Sequence, residues 1–142
     1  REHGLKPYVI LHGARHGLEL DELFEHADFG IGSLGRHRSG ITHIKTLKNR
    51  EYAARGLAFA YSETDEDFDD KAYVMKIPAD ETAVDIDGIV AFCRSLPMTG
   101  REIRDSIGNL SWKCQMQKVL CEVVPYTKTP ALPVPPQNIR KI

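Results

Sequence analysis

The chain has 142 residues, 42% of them hydrophobic and 27% charged, with a formal net charge of −1. That length suffices for one domain with its own core, and the composition excludes disordered and fibrous classes. A near-neutral balance supplies no global field to recruit nucleic acid, so any preference for anions must be local.

Tyr8–Leu11 is a short apolar run closed by His12 and Gly13, the pattern of a buried parallel strand. Leu20, Leu23, Phe24 and Ala27 recur at helical spacing and predict an amphipathic helix, with Asp21, Glu22 and Glu25 on its wet face. A second strand is expected from Phe29 to Ser33. A glycine-rich basic loop follows, then a helix opening near Leu47, then an apolar strand over Leu57–Tyr61. Between Arg36 and Arg55 stand six basic residues (Arg36, Arg38, Lys45, Lys48, Arg50, Arg55) against one acid, Glu51. The next stretch reverses the sign, with six acids between Glu63 and Asp70. It lacks the spacing of a calcium loop, so a solvated acidic loop is expected.

Tyr73–Ile77 reads as a further strand, stopped by Pro78. Asp85 is placed to cap a helix that buries Ile86, Ile89, Val90, Cys93 and Leu96 along one stripe, ended by Pro97. Thr99 caps a short helix with Ile103 and Ile107, closed by Gly108. Ser111 opens a longer helix with Trp112, Met116, Val119, Leu120 and Val123 on one side, and Trp112 is expected in a core. Five prolines lie between Pro125 and Ile142, so that tail reads as an extended arm. Domain boundaries are accordingly 1–124 and 125–142. The fold class expected is α/β, a Rossmann-like parallel sheet flanked by helices.

Cys93, Cys114 and Cys121 include no C-x-x-C pair. The last two lie about 10 Å apart along one helix, too far to bridge. Reduced thiols suit a cytoplasmic protein. No apolar run approaches the roughly 18–20 residues of a membrane span.

The Gly30–Ser62 stretch carries the functional signal. A strand that runs through a flexible loop into a helix N-terminus leaves backbone N–H groups unpaired, and the helix dipole adds positive charge there. Glu51, one turn into that helix, is placed to accept hydrogen bonds from sugar hydroxyls beside a bound phosphate. Anion site and acid together suit a nucleotide.

The segments GSLGRHR (32–38) and TLKNREYAARGLAFAYS (46–62) resemble the C-terminal half of a bacterial family 4 glycosyltransferase. The resemblance covers roughly residues 8–124 and is most specific over 28–62. It implies a partial GT-B C-terminal domain, which binds a UDP- or GDP-sugar donor for transfer to a glycan or lipid-linked acceptor. The family signature is a Glu, seven residues and a second Glu at the head of a helix. Glu51 falls on the second Glu, which in the family binds the donor ribose. Thr46 and Leu47 fall on a Gly-Leu pair whose N–H groups face the diphosphate, with Arg38 or Lys48 neutralising charge. His43 falls on the first Glu and is the catalytic candidate, although imidazole does not accept two hydroxyl hydrogen bonds as a carboxylate does. Ala58 replaces the usual Pro. By the same resemblance Gly13, with Ala14 and Arg15, neighbours the donor base.

The family generally works without a metal, and no cofactor is expected. The resemblance allows peripheral membrane association through an N-terminal acceptor domain outside these residues, and self-association through an uncovered inter-domain face. Three other readings stay open: a non-catalytic nucleotide-binding or assembly domain of the same type, a flavodoxin- or receiver-like module, and a nuclease-like use of the acidic run.

Overall fold

The computed structural model describes Gly4, Leu5 and residues 7–124; the proline-rich tail lies outside the described residues. Among them, β1 (Phe29–Ile31), β2 (Ala58–Tyr61) and β3 (Val74–Lys76) form one all-parallel sheet in the order β1-β2-β3. Helices α1 (Leu18–Glu25), α2 (Leu47–Arg55), α3 (Ile86–Ser95) and α4 (Gly100–Asp105) accompany the strands. The fold is therefore α/β and Rossmann-like. Parallel strands need a crossover, and α2 lies in the one that joins β1 to β2. The register sets Gly30 opposite Phe59, and Phe59 opposite Val74.

Burial follows from strand position. β2 is central, so both its faces are covered, and all four of its residues are buried. Phe59 is the hub, with ring centroids at 5.3 Å to Phe68, 5.7 Å to Tyr52, 5.8 Å to Tyr61 and 6.1 Å to Tyr73. Its neighbour strand is narrowed to receive α2. A Cβ on Gly30 would sit 2.7 Å from the Tyr52 ring, so only glycine lets that ring lie flat on β1. The Tyr52 hydroxyl then donates to the Ile31 carbonyl at 2.9 Å.

Local signals explain the helix limits. Thr46 Oγ1 accepts from Asn49 N at the start of α2. Gly56, at φ 78°, ends it, and Leu57 N donates back to Tyr52 O at 2.9 Å. Thr99 and Glu102 form a reciprocal capping box on α4. Asp85 caps α3 as expected.

The chain divides into two compact units, one ending at Ile107 and one beginning at Gly108. The second holds a short 3-10 helix (Gly108–Leu110) and α5 (Trp112–Val123), capped by Ser111. Trp112, expected in a core, is 80% exposed.

Three more expectations are corrected. Tyr8–Leu11 is not a strand but exposed coil. Tyr8 N and Val9 N both donate to Leu5 O, at 2.8 and 2.9 Å, so a turn around Pro7 consumes the groups a ladder would need. The α3 stripe is only partly covered: Ile89 is buried, whereas Ile86 and Val90 are exposed. The acidic run is not a solvated loop, since Glu63 and Asp65 are among the buried residues. The strands at 29–33, 57–61 and 73–77 form as expected within two residues at each end.

Candidate functional site

In a parallel α/β sheet each crossover helix begins near the carboxyl ends of the strands, where ligands bind. Here the segment leading into α2 is held beside the segment leaving β2. Ile44 N donates to Thr64 O at 3.0 Å, and Thr64 N donates to Thr42 O at 2.7 Å. His43 forms a parallel bridge with Thr64 in the same place.

This geometry brings His43, Thr46, Leu47, Lys48 and Glu51 onto one short stretch ending in the first turns of α2. Thr46 is the N-cap, and its hydroxyl occupies Asn49 N, one of the free donors of the helix start. Leu47 is 83% exposed. Glu51 Oε1 accepts from Arg55 Nε and Nη2 at 3.3 and 3.2 Å, and Oε2 has no hydrogen bond among the described residues. The His43 ring is exposed, with Nδ1 at 2.9 Å from Thr42 Oγ1. Gly13 is not brought in. It lies in the exposed coil before α1, and a Cβ built on it would meet nothing within 4 Å.

The basic stretch differs from a bare anion cradle because the acidic run folds onto it. Arg50 pairs with Asp65 at 3.1 Å and also with Asp67. Lys45 reaches Glu66 and Asp67 at 3.3 and 3.4 Å. Arg55 bridges Asp21 at 2.8 Å and Glu51. Arg38, offered as a phosphate neighbour, is instead clamped on Glu81, with Nε to Oε1 at 2.8 Å. Of the six cations, Lys48 is the one that carries no ion pair among the described residues. The buried Asp65 carboxylate, paired with the half-buried Arg50, is satisfied further by Asn49 Nδ2, which donates to Asp65 Oδ2 at 3.2 Å. Behind it Tyr61 donates to Asp69 Oδ1 at 2.5 Å, and Lys76 Nζ reaches the same oxygen at 2.8 Å. Burial, then the Asp69 hydrogen bond, drives the Tyr61 hydroxyl far above the ordinary phenol range. Burial opposes the charge on Asp69, but the Lys76 and Tyr61 hydrogen bonds outweigh it and hold the carboxyl low.

Sequence reasoning missed Asn49, Glu63 and Asp65 as buried polar residues. One signal was available: six cations followed at once by six acids are complementary in sign and number.

Glu81 is held down to about 2, by the Arg38 hydrogen bond first and the His37 hydrogen bond second. Its folded value lies below the ordinary 4.5, so the tether is complete above that pH and is lost as pH falls toward about 2. The 3-10 helix Arg36–Ser39 should therefore stay tied to Glu81 at neutral pH and loosen only in that acid window. Following the Glu81 carboxyl carbon by NMR checks this, and a midpoint near 4.5 would refute the clamp.

No protein family, curated protein or solved structure matches this chain. Among the described residues no group of three or more His, Cys, Asp or Glu could hold a metal ion, and no helix is long and apolar enough to cross a membrane.

Proposed function

We propose that the chain is the donor-binding part of a GT-B-type glycosyltransferase, which holds a UDP- or GDP-sugar and delivers its sugar to a glycan or lipid-linked acceptor. The observation that carries this reading is the start of α2. A nine-residue helix opens beside the carboxyl end of β2, with its Thr46 cap formed and Lys48 unpaired. Diphosphate oxygens would meet the Thr46 and Leu47 N–H groups, where the helix dipole favours negative charge. The Lys48 ammonium adds a mobile cation. Glu51 Oε2 would accept a ribose hydroxyl one turn further on. Donors aimed at the leaving diphosphate stabilise the charge that develops as the sugar departs, and this is the electrostatic part of transfer.

The test is calorimetric titration of UDP and GDP, with and without magnesium. Saturable binding without metal is expected. Glu51→Ala should weaken it about tenfold while leaving the melting curve in place, because the side chain is exposed and loses one charge-assisted bond. Unchanged affinity in that variant removes Glu51 from the site.

His43 favours a second reading, a nucleotide-binding domain without transferase activity. Its backbone bridges to Thr64 and its ring meets Thr42, so a structural duty accounts for the residue without chemistry. Nucleotide binding without any transfer or hydrolysis of the nucleotide sugar, in the presence of an acceptor domain, would decide for that reading.

A further inference from the structure

Two buried acceptors near the carboxyl ends of β1 and β2 lack hydrogen-bond partners. Glu63, two residues past β2, is 2% exposed, yet neither carboxylate oxygen receives a hydrogen bond. Arg36 Nε stands 4.0 Å from Oε1, beyond hydrogen-bond reach, and donates to Ser33 Oγ at 3.0 Å instead. Lys76 Nζ binds the backbone oxygen of Glu63 rather than its carboxylate. Asn49 is fully buried and spends Nδ2 on Asp65, which leaves Oδ1 unpartnered. That oxygen faces the end of β1, within 3.1 Å of where a Cβ on Gly32 would stand.

Burying polar groups without partners is costly, and native proteins keep few. What these groups require is a donor, since a carboxylate and an amide oxygen only accept. The Arg36 guanidinium beside Glu63 repels a metal ion. Neutral hydroxyls fit better, because the two oxygens of one carboxylate match a vicinal diol. The position also suits a ligand, in the crevice outside the carboxyl ends of parallel strands.

We infer that Glu63 is a hydroxyl-binding carboxylate, which accepts a sugar diol of the ligand once Arg36 turns outward to an anion. Arg36 can do this because its side chain is 39% exposed and its one hydrogen bond is to a serine hydroxyl. A diphosphate competes readily for a guanidinium held so weakly. The inference rests on the donor-site reading, and it assigns the hexose hydroxyls to Glu63.

Two measurements test it. The first needs no nucleotide: Glu63→Gln and Glu63→Met are melted beside the wild-type protein. Both should melt a few degrees higher, since an unpartnered buried carboxylate is removed. If both melt lower, Glu63 is a structural partner of Arg36 and the inference is overturned. The second titrates UDP-glucose, GDP-mannose, UDP and GDP into wild type and Glu63→Gln. For the nucleotide sugar that wild type binds, the variant should lose roughly ten- to a hundredfold in affinity, with the matching nucleoside diphosphate unaffected. An equal loss for the nucleoside diphosphate overturns the inference, since the group at Glu63 would then belong to the nucleotide and not to the hexose. Unchanged affinity for every ligand overturns the inference. A wild-type protein that binds no nucleotide overturns the donor-site reading, and the melting comparison then decides Glu63 by itself.

Discussion

Phe59→Ala is expected to destabilise the first compact unit strongly. The side chain is fully buried at the centre of β2 and meets four aromatic rings, those of Tyr52, Tyr61, Phe68 and Tyr73. Truncation removes the transfer energy of the ring and opens a cavity that two flanking strands and α2 cannot close. The loss is about 3–5 kcal/mol, against a total of roughly 5–15 kcal/mol for a domain. Urea denaturation followed by tyrosine fluorescence and far-ultraviolet dichroism measures it. A midpoint within experimental error of wild type would show that β2 is not the centre of the core. Phe59→Leu, which keeps most of the volume, should recover much of the loss.

Gly56→Ala should be the most damaging of the single-methyl changes at glycine, for two independent reasons. Gly56 sits at φ 78°, where a Cβ costs about 1–2 kcal/mol. The added Cβ would also lie 2.4 Å from the Gly100 carbonyl oxygen and 2.9 Å from its carbon, so backbone must move. That contact joins the end of α2 to the start of α4, and Arg104 Nη1 donates to Arg55 O at 3.2 Å across the same junction. The expected loss therefore exceeds the backbone term alone. Gly35→Ala is the control: a Cβ there meets nothing within 4 Å and the backbone is not left-handed, so stability should hold within about 0.5 kcal/mol. Equal melting temperatures for the two variants would mean that α2 and α4 do not meet as described.

How much of this was legible beforehand depends on the range of the interaction. Asp85, Thr99 and Ser111 were each readable as helix caps, because a cap is a contact between residues three apart. Strand identity at β1, β2 and β3 was readable for a similar reason, since apolar runs bounded by turns must be buried. Tyr8–Leu11 carries the same local pattern and yet is coil. Its pattern says what could be buried, whereas pairing depends on a neighbour, and the turn at Pro7 takes its donors first.

The candidate site divides the same way. The donors at the start of α2 and the position of Glu51 one turn later follow from helix geometry and needed only the order of residues. The fate of the charges did not. Arg38 is spent on Glu81 and Arg50 on Asp65 and Asp67, pairings across 43 residues in the first case and 15 and 17 in the second. Lys48 is left without an ion pair among the described residues, and the Glu63 carboxylate is buried without a hydrogen bond. By itself the order of amino acids determined the helices, most of their caps and the parallel α/β class. Which cation stays free and which carboxylate is buried was decided only by tertiary structure, because Coulomb and desolvation energies depend on distance in space and on burial, neither of which local spacing encodes.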